Sequence, residues 1–395
     1  MSEARGPGGP LSGVRIIEFA GLGAAPYGVM LLADLGADVI RVDRPGAGSD
    51  PSTLAHVGVW RGRRSIVIDL KHPEGRDVIR RLVADADVLV EGFRPGTMER
   101  LGLGPDELTA SNPRLVYARM TGWGQDGPLA RTAGHDLNYA ALSGALHTVG
   151  PADRPPPPVA NYLADNGGGM LLSVGVLAAL VERERSGLGQ VVDAAMVDAA
   201  ASLTTFVRGL SALGAWSEER GENLLDGGAP FYATYRCSDD RFVAVGAIEP
   251  QFFRALIDGL GLPEETAALQ NDRARWGELR RALEERIATE PRDVWAARFA
   301  NSDGCVTPVL TLAEAGDHPH HVARAAFDVP LAGPLPAGID GAPMPSPAPR
   351  LSRTPGHVAR PAPAPGSHTR AILAEVGLSA SSADYLVERG VVSDS

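Results

Sequence analysis

The first 120 residues switch repeatedly between short apolar runs and apolar positions at helical spacing. Val14 to Phe19 has the length of a buried strand. Val39 to Val42, Ile66 to Leu70, Val88 to Val90 and Leu115 to Ala118 repeat the signal. Helical spacing at 27–36 and from Pro73 to about Ala86 lies between them. This alternation specifies an α/β fold with a mostly parallel sheet covered on both faces, because parallel strands need crossovers that pack over the sheet. A proline run, Pro155 to Pro158, interrupts the pattern. After it the sequence predicts a long apolar helix from Asp165 to about Glu184, a strand at Val191–Ala195, and a second long helix to about Ala215. Both helices are apolar around much of their circumference, which calls for a large core or an oligomer interface.

The pattern changes near 217–230. Phe231–Tyr235 and Phe242–Val245 flank Ser238-Asp239-Asp240 as a hairpin, and helical spacing follows at about 251–260 and 275–300. The expected organisation is the first part of a large domain at 1–200, a linker at 201–225, a small domain at 226–325, and a return segment at 326–395. That last segment is Pro-rich and ends in two short helices.

Hydrophobic residues make up 44% of the 395 residues and charged residues 22%, which is ordinary globular composition. A net charge of −11 and 5% aromatics speak against a nucleic-acid partner. The longest apolar run, Met170 to Val181, has 12 residues, short of the ~20 that span a bilayer. The N-terminus MSEARGPGGP has no apolar signal region, and Cys237 and Cys305 form no Cys-x-x-Cys. The expectation is a cytoplasmic protein with no membrane or metal partner.

Two motifs look suggestive and are set aside. Gly21-Leu22-Gly23-Ala24-Ala25-Pro26 nearly matches a dinucleotide fingerprint, but Pro26 replaces the glycine that allows close helix–strand packing and suits a first helical turn instead. Asp317-His318-Pro319-His320-His321 resembles a ligand cluster, but its internal proline favours a surface turn.

The basic residues are more informative. Residues 41–100 hold eleven of them against nine acids. Arg44, Lys71 (the only lysine) and Arg94 follow predicted strands, on the side where an open α/β sheet binds ligands. Guanidinium forks there suit phosphate oxygens, whereas Arg76, Arg80 and Arg81 lie on a helix and read as a solvated face. Asp165 reads as the N-cap of its long helix. Gly167, Gly168 and Gly169 then cost ~1 kcal/mol each relative to Ala, a cost that makes sense where something approaches the backbone closely. The N–H groups of such a helix end could hold an oxyanion. With Asp165 and a phosphate-binding crevice nearby, His135 becomes a candidate general base.

These residues sit in stretches that resemble the α-methylacyl-CoA racemases of the class III CoA-transferase family. They include Asp34-Leu35-Gly36-Ala37-Asp38-Val39, Glu91-Gly92-Phe93-Arg94-Pro95-Gly96, Gly134-His135-Asp136-Leu137-Asn138-Tyr139, and Gly246-Ala247-Ile248-Glu249-Pro250-Gln251-Phe252. The similarity covers about residues 10–330. It implies an interlocked homodimer, each subunit having a Rossmann-like large domain formed by both chain ends and a smaller α+β domain. It implies coenzyme A contacts at Arg44, Ile68, Asp69, Leu70, Lys71, Gly92, Phe93, Arg94, Arg100, Gly134, Asp136, Leu137, Asn138 and Tyr139. His135 and Asp165 match the catalytic pair, and Glu249 the acid that orients the histidine. The implied reaction is inversion of the α-carbon of a 2-methylacyl-CoA thioester, with no cofactor beyond the coenzyme A of the substrate. The rival within the family is a CoA-transferase using Asp165 as nucleophile. The histidine before Asp136 favours the racemase.

Overall fold

The computed structural model describes residues 8–47, 58–333 and 343–394. The expectations for residues 1–7 and for 334–342 of the Pro-rich segment lie outside them. Contacts divide the chain into two units: Met1–Ser143, Val159–Leu203 and Pro319–Ser395 in the larger, Gly144–Pro158 and Thr204–His318 in the smaller.

The larger unit is built on a seven-stranded sheet. Its strands are β1 (Arg15–Phe19), β2 (Asp38–Asp43), β3 (Arg63–Ile68), β4 (Val88–Glu91), β5 (Val116–Thr121), β6 (Val191–Ala195) and the C-terminal β10 (Val392–Ser393), in the order β10-β3-β2-β1-β4-β5-β6. All neighbours are parallel except β10, which pairs antiparallel with β3. The order reverses between β1 and β4, and a crevice for ligands opens at such a switch point beyond the C-terminal strand ends. The helices of the first half are α1 (Ala24–Asp34), α2 (Pro73–Ala84), α3 (Thr97–Arg100), α4 (Pro105–Ser111) and α5 (Asp136–Ser143). The expected elements are therefore present, with ends displaced by a few residues. α1 starts three residues before its apolar spacing does, and Pro26 sits within its first turn, where its missing N–H costs nothing.

The sheet faces carry two apolar cores. One packs α2 and the C-terminal helices against Ile17, Ile40, Ile66 and Leu89. The other packs α1 and α6 (Gly167–Ser186) against Ile16, Val39, Val90 and Val116. On that second face β1, β2 and β3 also bury ion pairs. Arg63 binds Glu18 at 2.5 Å, Arg61 binds Asp34 at 2.6 Å, and Arg41 binds Asp43 at 2.9 Å. Arg63 also donates to the carbonyl of Pro26 at 2.7 Å, tying α1 to the sheet. These arginines belong to the basic stretch singled out above, and the fold consumes them internally.

α6 is preceded without a break by one turn of π-helix, Tyr162–Asn166. By length and a mean hydropathy of 1.4, Tyr162–Ser186 could cross a membrane. One face of it is packed into the core through Leu172, Val176 and Ala179, while Met170, Val174 and Val181 are exposed. The single helix expected to reach Ala215 is instead α7 (Met196–Leu203) and α8 (Thr205–Ala212), separated at Thr204. The break coincides with a Thr-Thr pair, β-branched residues that weaken a helix. α8 occupies the stretch expected as a linker and groups with the smaller unit.

The smaller unit has an antiparallel sheet of β7 (Tyr232–Arg236), β8 (Phe242–Gly246) and β9 (Val306–Pro308). It is covered by α9 (Pro250–Leu260), α10 (Trp276–Ile287) and α11 (Arg292–Phe299) over a core that includes Phe253, Leu283 and Trp295. The helix expected over 275–300 is cut by Pro291, which has no N–H to continue it. α12 (Leu312–Asp317) closes this unit. α13 (Pro319–Ala323), α14 (Thr369–Glu375) and α15 (Ala380–Glu388) return to the larger one. The Asp317–His321 segment is a helix end and a helix start. Among the described residues no group of His, Cys, Asp and Glu could hold a metal ion.

In the glycine run that opens α6, Gly169 finds its reason in packing. A Cβ on Gly169 would lie 2.6 Å from the carbonyl oxygen of Ala24, and one on Gly28 would lie 2.5 Å from the carbonyl oxygen of Gly169. α1 and α6 thus cross backbone against backbone, and the Ser173 hydroxyl donates across the crossing to Gly28 at 3.0 Å. What approaches Gly169 is helix α1, whereas Gly168 has Met196 as its nearest neighbour. Gly169→Ala should therefore lower stability by ~2 kcal/mol or more, because neither backbone can give way. Urea denaturation checks this, and an unchanged midpoint would mean that the crossing is not tight.

Candidate active site

A cleft of about 710 Å³ opens at the C-terminal ends of the central strands. Its walls include Gly21 and Leu22 after β1, Arg44 after β2, Ile68 to Lys71 after β3, and Phe93 after β4. The rings of Phe19 and Phe93 meet at 5.8 Å where the strand order reverses. The turn that presents Lys71 is braced from below. Asp69 accepts the Lys71 N–H at 2.9 Å, and the Arg76 guanidinium donates to the carbonyls of Leu70 and Lys71 at 3.1 and 3.0 Å. Arg76, read from the sequence as a solvated residue, is thus a support of the cleft.

The loop after β4 is held by a buried carboxylate. Glu91 accepts the N–H of Phe93 at 2.7 Å and pairs with Arg119 at 2.8 Å. Burial raises its pKa, while the Phe93 N–H and Arg119 oppose that rise. Gly92, Arg94 and Arg100 lie on this loop and the short helix α3, exposed and beside the cleft rather than in its wall. Arg44, Ile68, Asp69, Leu70, Lys71 and Phe93 are therefore brought together, with Arg94 and Arg100 at their flank.

His135 precedes α5 in a turn closed on itself. Its N–H donates to Asn138 Oδ1 at 3.0 Å, and its carbonyl accepts the N–H groups of Asn138 and Tyr139. The Tyr139 hydroxyl donates to the carbonyl of Gly134 at 2.5 Å, and its ring meets Trp123 edge-on at 4.7 Å. The turn leaves the imidazole exposed.

Asp165 differs from its expected place. It is not a helix cap but the fourth residue of the π-helical turn, and Asn166 after it already has helical dihedrals. The N–H groups that were to hold an oxyanion are taken. Those of Ala164 and Asp165 donate to Asp136 Oδ1 at 2.7 and 2.8 Å, and that of Asn166 to the carbonyl of Asn161 at 3.1 Å. Single π-turns widen a helix by one residue and recur where a functional side chain must leave it. Here the half-buried carboxylate reaches Gly23, the N-cap of α1. A Cβ on Gly23 would stand 3.0 Å from Asp165 Oδ2, and its φ of 72° is one that glycine adopts without strain. Among the described residues, no hydrogen bond occupies the N–H of Ala24 or Ala25 in the first turn of α1.

Burial and the neighbouring charge of Asp136 raise the Asp165 carboxyl above the usual range. A hydrogen bond from Asn161 and the charge of His135 pull it down again. The charge of His135 thus reaches Asp165, thirty residues away in sequence. Burial and the Asp165 charge together raise the Tyr139 phenol. Glu249 lies in the smaller unit, immediately before Pro250 at the head of α9. There, after burial, its charge is the main cause that raises the Cys305 thiol. Sequence reasoning missed Gly23, Asn161 and the side chain of Asp136. The one available signal was an aspartate directly after His135 in a helix-start position.

The family model for CoA-transferase family III matches residues 11–369. The chain is 46% identical to the α-methylacyl-CoA racemase of Mus musculus, covering 93% of this chain and 94% of that protein. It is 45% identical to the Homo sapiens enzyme of the same name, with the same coverage of each. A crystal structure of a CAIB/BAIF family protein from Brucella suis superimposes with a TM-score of 0.79 at 29% identity, over 93% of this chain and 100% of that one.

Proposed function

The chain belongs to CoA-transferase family III, and we propose that it epimerises the α-carbon of 2-methyl-branched acyl-CoA thioesters with His135 and Asp165 as its two bases. The observation that carries this reading is a half-buried Asp165 carboxyl, tied through its backbone to Asp136, the residue after His135, raised by burial and by Asp136 and drawn down by the charge of His135. A pair that holds one proton between two groups can remove a proton and return another. The kinship with racemases in both mammals supports the same choice.

A thioester acidifies its α-proton but leaves an enolate to be stabilised. In the proposal His135 takes the α-proton of one epimer, and a protonated Asp165 delivers its proton to the opposite face of the planar enolate. The pair then holds one proton as before, now on the imidazole, and the reverse reaction swaps the roles. Because the N–H groups around Asp165 are engaged by Asp136 and Asn161, the enolate oxygen falls instead to the open N–H groups of Ala24 and Ala25 at the start of α1. Coenzyme A lies in the cleft, with Arg44 and Lys71 on its phosphates and Arg94 and Arg100 at the flank. Two subunits would cover the exposed apolar face of α6, where Met170, Val174 and Val181 are 51%, 61% and 65% exposed.

Arg44→Ala should raise KM for acyl-CoA with kcat nearly unchanged, since a phosphate contact is the same in ground and transition states. It should also lose discrimination between coenzyme A and dephospho-coenzyme A thioesters. A variant that keeps the wild-type preference would remove Arg44 from the 3′-phosphate site.

The reaction itself is tested in D₂O. Wild type should place deuterium at the α-carbon of both epimers. His135→Ala should lose inversion by roughly 10²–10⁴-fold, as expected for a missing acid–base group, while still exchanging the epimer that faces Asp165. Asp165→Ala should exchange only the other epimer. A transferase would instead need a carboxylate acceptor, tolerate His135→Ala and lose all chemistry in Asp165→Ala.

A further inference from the structure

Asp136 adjoins His135 in sequence, yet its side chain serves the opposite half of the pair. The residue is buried, 8% exposed, and a single carboxylate oxygen accepts the N–H groups of both Ala164 and Asp165. Those two N–H groups belong to the start of a π-helical turn: that of Ala164 would lack a partner in any helix, and that of Asp165 loses the Asn161 carbonyl to Asn166. The preceding Ala160 has φ 42°, a conformation that a residue with a Cβ adopts only under constraint. The turn that carries Asp165 is thus fixed from outside, by the first residue of α5.

We infer that Asp136 is a positioning residue that ties the Asp165 turn to the His135 turn and so sets the spacing of the two proton-transfer groups. The inference rests on the proposed epimerase reading and deepens it. His135 and Asp136 are consecutive. Fixing the Asp136 carboxylate on the backbone of Asp165 therefore fixes the imidazole and the carboxylate relative to one another through a few bonds. Placement to within a fraction of an ångström is what intramolecular proton transfer requires.

The same carboxylate also acts through its charge. The groups that face Asp165 are His135, Asp136 and Tyr139 from the α5 segment and Asn161 from its own turn, while α1 presents Gly23. After burial, Asp136 is the main influence holding the Asp165 proton on, and His135 opposes it. Asp165 must be ionised when it acts as the base, so exchange of the epimer that it deprotonates falls as pH drops through its pKa. A raised pKa places that acidic limb at higher pH than an ordinary carboxylate would. Removing the Asp136 charge should move the limb to lower pH.

Two variants separate position from charge. Asp136→Asn keeps an oxygen acceptor for the two N–H groups and discards the charge. Asp136→Ala discards both. Wild type and variants are compared by deuterium exchange at the α-carbon of the 2-methylacyl-CoA epimer that faces Asp165, the one that His135→Ala still exchanges, across the acidic range, with its binding measured in parallel by calorimetry. Asp136→Asn should retain exchange near neutral pH while its acidic limb moves to lower pH. Asp136→Ala should lose roughly ten- to hundredfold in kcat with the dissociation constant little changed. An acidic limb that stays in place in Asp136→Asn, or an Asp136→Ala variant that exchanges at the wild-type rate, overturns the inference and leaves the two-base reading standing. A wild type that binds the thioester without exchanging its α-proton overturns both.

Discussion

The close crossing of α1 and α6 is the constraint on which the site depends. At Gly28 and Gly169 the two helices touch backbone to backbone, with no room for a methyl group on either side. This contact brings the first turn of α1 beside the π-helical turn that precedes α6. Gly23 at its head therefore faces the Asp165 carboxylate. α1 is in turn fixed to the sheet by Arg63, which is buried against Glu18 and holds the carbonyl of Pro26. A chain of short contacts runs from the strands to the Asp165 carboxylate. A loose element anywhere along it would displace that carboxylate.

Electrostatics divides the basic residues into two populations. Arg41, Arg61 and Arg63 pair with acids inside the large unit, and Arg64 binds Asp38 and Glu375 at 2.8 and 2.5 Å. These pairs cannot be separated cheaply, because breaking one leaves an uncompensated buried charge. Arg44 and Lys71 remain on the wall of the cleft and Arg94 and Arg100 beside it. A chain of net charge −11 thus keeps positive groups on the strand ends where a phosphorylated ligand would dock.

The sheet was legible because its strands are short β-branched runs separated by helical spacing, and the first five emerge in the expected order. Arg44 and Lys71 were legible as positions directly after strands. The failures have particular causes. The helix expected to reach Ala215 ends at Leu203, because continuous apolar spacing hides a Thr-Thr break. Asp165 was read as a cap because Asp before an apolar helix usually is one, whereas a π-turn adds a residue that no periodicity reveals. The close approach expected at the glycine run is found at Gly169, where the partner is α1, which only the tertiary structure supplies. Asp136 escaped as a side chain because its partners lie 28 and 29 residues away. The resemblance supplied Arg100 and Glu249, for which residue pattern alone offered nothing.

The central claim is that one fold holds an imidazole and a carboxylate on opposite sides of a single carbon. A crystal structure with a bound 2-methylacyl-CoA tests it most directly. The account predicts the coenzyme A phosphates at Arg44 and Lys71, and the α-carbon between the His135 ring and the Asp165 carboxylate. One group should then approach each face, with the thioester oxygen toward the first turn of α1. An α-carbon with both groups on the same face, or beyond the reach of either, would contradict it.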